Sequence, residues 1–265
     1  MTNTTPAVSN LVKGTPAEIT SKLQRYLFPI EERKVYFQNA EGNPDFTKEY
    51  KSIVRQDNGK LISIMNDTYK VQSNASVILP VIEQLHNLDT NWAIDRSHSF
   101  ITDNRMKLQV TFPDLTFNDG NSDVALSLFL HNSYDGSEGV RMLWGAIRAI
   151  CTNGMVFGKV LARFYRRHTK NIQVSNISAQ LQSTFDQIPL IKERIDILQN
   201  LAAYEVKEQV IEKEFGKNAL KYVRQQPTPV NQWALYNILT YYISHVVEQH
   251  MRTNYQLRVS KMFGL

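Results

Sequence analysis

Alternating apolar and polar residues in the first half of the chain predict a series of β-strands. Two such runs, 50–56 and 60–64, are separated by Asp57-Asn58-Gly59. Asn-Gly between alternating runs is a strong signal for a β-hairpin, because both residues tolerate a positive φ angle. Other strands are predicted between clusters of turn-forming residues. These are Lys34–Gln38, Ser97–Ile101, Met106–Phe112 and Val124–His131.

Apolar residues at helical spacing predict four helices. The first is expected from Ala75 to Leu88, with Asn74 as its N-cap, and the second from the N-cap Ser137 through Cys151. The third is expected to begin near Pro189, which suits a first turn, and at its longest to reach Phe215 before Gly216. The fourth is predicted over Asn231–Met251, with apolar residues on most sides.

The order of these elements, with strands first and helices later, indicates an α+β fold. We expect an antiparallel, hairpin-rich sheet followed by a helical C-terminal half. Residues 1–16 are rich in Thr, Asn and Pro and predict a flexible tail. Residues 17–265 are expected to form a single domain that is strand-rich to about residue 131 and mostly helical from 137 onward.

The cysteine content and the N-terminus limit where the protein acts. Cys151 is the single cysteine, so no intramolecular disulfide can form. The polar residues 1–10 lack the apolar segment of a secretory signal, and no apolar run is long enough to span a bilayer. We therefore expect a cytoplasmic protein that does not enter a membrane.

The positive charge of the protein is concentrated in its central third. The formal net charge is +5, yet no Asp or Glu occurs in the 47 residues from Gly139 to Phe185. Seven of the 30 cations fall in that stretch, which leaves 23 cations against 25 acids elsewhere. The seven are Arg141, Arg148, Lys159, Arg163, Arg166, Arg167 and Lys170. This acid-free segment is the main candidate site.

The acid-free segment has the composition of a nucleic-acid interface. Arg141 and Arg148 are seven apart and would share one face of the predicted second helix. Tyr165 and His168 lie among the later cations, in the stretch Phe157–His168, which is predicted as a strand. Cations neutralise phosphates, and aromatic rings stack on bases. The alternatives are that these cations pair with acids from elsewhere in the fold, or that the gap is a chance feature.

Other possible sites carry less weight. The loop Asn132–Ser137 could present N–H groups to an anion at a helix N-terminus, but a turn capped by Ser137 explains it as well. The stretch Gly154–Lys159 is one residue too short between its glycines for a P-loop, and Val160 stands where Ser or Thr must hold Mg²⁺. Pro44-Asp45 and Glu49-Tyr50-Lys51 resemble a nuclease signature, yet the spacing leaves too little room for carboxylates on adjoining strands.

The six histidines show no zinc spacing, and nothing marks a nucleophile with its base. We expect no metal, no cofactor and no catalytic site. His168 is interpreted as a polar or positive contact beside Arg167 within the basic segment.

Six segments resemble the phage/plasmid-like protein family, from about Lys34 to the C-terminus. They are Ile53–Gly59, Tyr69–Gln72, Asn132–Ser137, Cys151–Gly154, Arg167–Thr169 and Trp233–Asn237. The family is a domain of unknown function, so the resemblance implies a mobile-element protein inside a bacterial cell but no reaction. Members often carry histidine where this chain has Tyr134, which argues against imidazole chemistry there.

These observations lead to a first hypothesis and two alternatives. The first is a non-enzymatic nucleic-acid-binding protein of a phage or mobile element, favouring single-stranded DNA, with annealing and self-assembly as associated activities. The second is a counter-defence protein that sequesters a host factor or a signalling nucleotide, since a basic pocket also suits small anions. The third is a structural, self-assembling phage protein whose basic patch is a protomer interface.

Overall fold

A computed structural model describes residues 11–12, 16–88, 90–96, 99–118, 123–148, 154–156, 163–166, 168 and 177–265. The strands are β1 Leu11–Val12, β2 Ile30–Gln38, β3 Pro44–Arg55, β4 Leu61–Asn66, β5 Ala93–Asp95, β6 Phe100–Ile101, β7 Arg105–Asn118, β8 Asp123–Ser133, β9 Val140–Arg148, β10 Gly154–Val156 and β11 Arg163–Arg166. The helices are α1 Pro16–Lys22, α2 Asn74–His86, α3 Ile177–Asn200, α4 Glu208–Phe215, α5 Lys217–Gln225, α6 Gln232–His245 and α7 Gln249–Phe263. The α+β class is confirmed, with antiparallel sheets first and helices in the C-terminal half.

The strands form two antiparallel sheets. The larger sheet has the strand order β1-β5-β7-β8-β9-β10. In addition, β6 pairs with β7, and β11 pairs with β9, which also pairs with β10. The smaller sheet is β2-β3-β4. Its β3–β4 turn is the predicted hairpin, and Gly59 there has φ +70°. The prediction of that hairpin is therefore confirmed.

The main core lies between one face of the larger sheet and the helices. Leu108, Leu130 and Met142 occupy one row of paired positions across β7, β8 and β9, and Val110, Leu128 and Trp144 form another. All six pack in one cluster with apolar residues of α2, α3 and α6. Since side chains alternate along a strand, every second residue of β7, β8 and β9 belongs to the opposite face. We call this opposite face the second face.

The predicted helix from Ser137 to Cys151 is wrong, because Val140–Arg148 is the strand β9. Its apolar residues fit a helical stripe, but they also fit a strand that is buried on both faces. Leu143 packs with Phe129 on the second face, while Trp144 packs in the main core. A continuous apolar run does not distinguish the two periods. The Ser137 N–H donates to Asp135 Oδ1, so Ser137 begins no helix.

Several boundaries also differ from the predictions. Strands continue to Arg166 and the C-terminal helices begin at Ile177, so the expected helical start at residue 137 is wrong. Pro189 lies inside α3 instead of at its start. The residues of α3 before Pro189 are largely polar, so the sequence pattern did not predict the first half of this helix. No helix within the described residues is long and apolar enough to cross a bilayer.

Three further expectations need correction. The N-cap of α2 is Ser73, whose hydroxyl accepts the Ser76 N–H at 3.0 Å, and not Asn74. The predicted fourth helix is two helices, since α6 ends at His245 and α7 begins at Gln249. Within the predicted flexible tail, β1 pairs with β5, while residues 1–10 lie outside the described part.

Candidate nucleic-acid interface

The second face carries a row of polar and basic residues. Lys107, His131, Arg141 and Tyr165 occupy paired positions on β7, β8, β9 and β11. This row lies next to the row that begins with Leu108, which faces the main core. Lys107, His131 and Arg141 therefore lie on the face turned away from that core.

Lys107 is partly buried, and its ammonium nitrogen lies 5.2 Å from the centroid of the Phe129 ring. Burial and then the positive charge of Arg252, on α7, lower the pKa of Lys107 to about 8, although Glu138 and Asp95 act in the opposite direction. Lys107 and Arg252 therefore repel each other in an environment that is partly shielded from water. Such crowding of like charges is relieved when an anion binds between them.

Arg141 contributes a third cation to the second face. It is partly exposed, and its Nη1 donates a hydrogen bond of 3.2 Å to Asn254 Oδ1 of α7. Its charge lowers the pKa of neighbouring His131 as well. Lys107 and Arg141, from β7 and β9, are therefore close to His131, and Arg252, from α7, is close to Lys107.

Glu138, which precedes the acid-free segment, lies inside this group. His131 Nδ1 is 3.2 Å from Glu138 Oε2. Burial opposes ionisation of Glu138, but the hydrogen bond to His131 and the charges of Arg141 and Arg105 outweigh it and lower the Glu138 pKa. Burial also lowers the pKa of His131. A neutral His131 that donates from Nδ1 to an ionised Glu138 satisfies both shifts.

In this arrangement His131 Nε2 is a buried acceptor, and it has no hydrogen-bond partner within the described residues. The same holds for Oε1 of Gln109, which is fully buried on the second face. The Gln109 side chain donates to Thr111 Oγ1 at 3.2 Å, and this oxygen lies 3.3 Å from Ser127 Oγ. The second face therefore combines buried polar residues, the apolar contact of Phe129 with Leu143, and basic residues at one end.

The structure brings together only part of the predicted basic segment. Arg141 lies on the second face, and β11, which contains Arg163, Tyr165 and Arg166, pairs with β9 beside it. Arg148 is the last residue of strand β9, so the prediction that it shares one face of a helix with Arg141 is wrong. The side chains of Arg148 and the β11 residues lie outside the described part, as do Lys159, Arg167 and Lys170 entirely.

His168 does not join a solvent-facing basic patch. It is only 4% exposed, and its ring stacks on Tyr69 with a centroid distance of 4.7 Å. Its carbonyl accepts the Lys70 N–H at 2.6 Å, and its Nδ1 lies 3.2 Å from the Lys70 carbonyl oxygen. Burial lowers the pKa of His168, which favours the neutral ring. The interpretation of His168 as a positive contact is therefore wrong, and its described contacts attach it to the segment after β4.

The loop Asn132–Ser137 is a structural turn and not an anion site at a helix N-terminus, because β9 follows it. The Ser133 hydroxyl accepts the Glu138 N–H and donates to the Glu138 carbonyl. Tyr134 is buried, and its hydroxyl accepts the Asn74 N–H at 2.8 Å. Each polar side chain thus fixes the backbone that leads from β8 to β9.

We expect Gly136→Ala to destabilise the protein by about 1–3 kcal/mol. Gly136 has φ +70°, and an added Cβ would lie 2.9 Å from Met65 Cε. Gly42→Ala is the matched control, since Gly42 has φ +82° but nothing within 4 Å of the added Cβ. Urea denaturation of both variants measures the difference. Equal losses would show that the contact with Met65 adds nothing to the backbone cost.

The other motifs gain no support as sites. Gly154–Val156 is strand β10, paired with β9, and not a phosphate-binding loop. Asp45 and Glu49 lie in the single strand β3 instead of on adjoining strands. Within the described ranges, no group of three or more His, Cys, Asp or Glu residues is placed to hold a metal ion.

Sequence reasoning missed Lys107 and Arg252. Lys107 was inside a correctly predicted strand, and alternation with Met106 and Leu108 already placed it opposite the core. Arg252 lies beyond the end predicted for the last helix, and no sequence signal brings it near β7.

A family model described as "Domain of unknown function (DUF932)" matches residues 62–262. The chain belongs to the DUF932 family. The DUF932 match contains every residue named above on or beside the second face, whereas β2 and β3 lie outside it. No curated protein and no solved structure matches the chain.

Proposed function

We propose that the protein binds nucleic acid, with single-stranded DNA as the favoured ligand, through the partly exposed basic residues at one end of the second face and the adjoining strand β11. The observation that carries this proposal is the grouping of Lys107, Arg141 and Arg252, from three separate elements, beside a strand that contains two more arginines. The three cations outnumber the two carboxylates near them, Glu138 and Asp95, so the group keeps a net positive charge. A polyanion lying across it would offset that charge and release counterions.

The arrangement suits an extended ligand better than a single phosphate. Lys107 and Arg141 belong to the row of paired positions that runs across β7, β8, β9 and β11, and Arg252 is added from α7. Neighbouring strands are about 4.8 Å apart, so four strands span about 14 Å, which is enough for two or more nucleotides. Tyr165 supplies an aromatic residue in the same row, and stacking on such a ring tolerates any base.

The proposed role is non-enzymatic. We place the protein in the bacterial cytoplasm as a product of a phage or other mobile element, where binding and annealing of single strands would serve replication or recombination. The family resemblance supports the setting, and the basic row supports the ligand.

A pocket for a signalling nucleotide is the second candidate, and one observation favours it. His131 Nε2 and Gln109 Oε1 are buried acceptors without a partner within the described residues. Donor groups of a small ligand would satisfy them.

Titration with oligonucleotides of increasing length separates the two candidates. We expect affinity for oligothymidine to rise at least about 10-fold between four and twelve nucleotides, because each added contact releases counterions. Mononucleotides are expected to bind far more weakly. Affinity that is independent of length, with tight mononucleotide binding, would contradict the proposal and favour the pocket.

Binding is expected to weaken as the pH rises through about 8. Lys107 has a pKa of about 8, lowered by burial and Arg252, and a bound phosphate would raise it by stabilising the charged form. Affinity should therefore be constant below pH 8 and fall by up to about 10-fold per pH unit above it. Fluorescence anisotropy from pH 6.5 to 9.5 measures the change, with Lys107→Gln as the control. A profile with the same slope in Lys107→Gln would exclude Lys107 as its source.

A further inference from the structure

Strand β2 is an exposed edge of the smaller sheet. Within the described residues it pairs with β3 and with no other strand. Six of its nine residues are exposed, and Tyr36 and Phe37 retain 65% and 48% of their accessible surface. Long exposed edge strands invite pairing with another strand. A protein that keeps such an edge has either blocked it or reserved it for a partner.

The backbone of β2 is oriented for such pairing. The Gln56 N–H donates to the Pro29 carbonyl at 3.0 Å, and the Ser52 hydroxyl donates to the Arg33 carbonyl at 3.1 Å. Backbone groups alternate in direction along a strand, so those of residues 29, 31 and 33 point to β3. Those of Ile30, Glu32 and Lys34 consequently point to the free edge.

The charges on β2 are complementary to those of a reversed copy of the same strand. Its sequence Ile30-Glu31-Glu32-Arg33-Lys34-Val35 places two acids before two bases. In an antiparallel pair of β2 strands with Arg33 on the two-fold axis, Glu32 lies opposite Lys34 of the other copy, twice by symmetry. Arg33 is then diagonal to Glu31 of the other copy, and the exposed Tyr36 lies opposite Ile30.

Among the described residues, no carboxylate of the same chain forms an ion pair with Lys34. Lys34 is paired across the ladder with Lys51, and Lys51 Nζ is 3.0 Å from Glu32 Oε2. The Lys34 ammonium lies 4.2 Å from the centroid of the Phe46 ring. A second carboxylate beside Lys34 and Lys51 would therefore offset two adjacent positive charges.

A polyanion fits this surface poorly. Residues 30–66 contain six acids and six cations, so the smaller sheet has no net charge. A surface of mixed, ordered charge matches a copy of itself instead. We propose that two copies of this chain associate through antiparallel pairing of β2 with β2, which joins their three-stranded sheets into one sheet of six strands.

Charge exchange at the edge tests the pairing. Sedimentation equilibrium of the full chain should show a dimer, and Lys34→Glu should weaken it at least about 10-fold, because two ion pairs become repulsive. The double variant Glu32→Lys/Lys34→Glu should restore association, since the introduced cation of one copy again faces the introduced carboxylate of the other. In both variants the carboxylate introduced at position 34 would lie opposite Lys51, so Lys51 keeps an acidic neighbour.

Two controls make the result decisive. Lys48→Glu changes an exposed cation on the central strand β3 and should leave association unchanged. In a Cys151→Ser background, Arg33→Cys should form a symmetric disulfide dimer under mild oxidation, because the two residues at the axis form a close, non-hydrogen-bonded pair. A monomer at 100 µM (about a hundred times a micromolar dissociation constant), failure of the double variant to recover, or absence of the disulfide would overturn the proposal.

Discussion

The triple variant Arg163→Glu/Arg166→Glu/Arg167→Glu is expected to bind single-stranded DNA at least about 100-fold more weakly than the native chain. Each substitution removes a cation and adds an anion, so the net charge of the segment 163–167 falls by six. Arg163 and Arg166 belong to β11, beside Arg141 on β9. Fluorescence anisotropy with a labelled oligothymidine at low salt measures the loss.

A control with the same change in net charge separates a local effect from a general one. Lys213→Glu/Lys217→Glu/Lys221→Glu reverses three exposed cations on α4 and α5, none of which is among the residues named on the second face. This variant should retain affinity within about threefold, since distant exposed charges are screened by salt. Equal losses in both triple variants would mean that binding follows overall charge, and the assignment of the interface would fail.

The second large effect concerns stability. Trp144→Ala is expected to lower the free energy of unfolding by about 3–5 kcal/mol. Trp144 is 1% exposed and stacks on Phe112 with a centroid distance of 5.6 Å, in the main core. Its removal would leave a cavity between the sheet and the helices. Urea denaturation followed by circular dichroism measures the loss.

Leu143→Ala provides the comparison for Trp144. Leu143 is the preceding residue on β9, and it packs on the second face with Phe129 and Leu257. We expect a smaller loss, of about 2–3 kcal/mol, because fewer atoms are removed. The losses should add in the double variant, since the two side chains lie on opposite faces and pack in separate clusters. Strong coupling between them would contradict the alternation on which the second face depends.

The predicted strands were accurate where polar and apolar residues alternate and a turn is marked. Asn58-Gly59 and the clusters around residues 103 and 120 separate strands that are present in the structure. Prediction failed at β9, because both faces of that strand are buried and its apolar residues also fit a helical period. The predicted α+β class is nevertheless correct, since the helices of the C-terminal half follow the strands.

The candidate site was predictable only in part. The missing acids between Glu138 and Asp186 mark the stretch of chain that contains β9 and β11, which pair with each other. The burial of His168 against Tyr69 depends on a contact between residues far apart in the chain, which no local pattern reveals. Arg252 comes from the last helix, and its proximity to Lys107 is likewise a product of tertiary structure.

The salt dependence of binding to single-stranded DNA tests the central claim most directly. With three or four phosphate contacts, the logarithm of affinity should fall with the logarithm of salt concentration with a slope of about −2 to −3. Affinity for a twelve-nucleotide strand should then drop about 15- to 60-fold between 50 and 200 mM salt. A slope near zero, or no binding at 50 mM salt, would contradict a nucleic-acid interface on the second face.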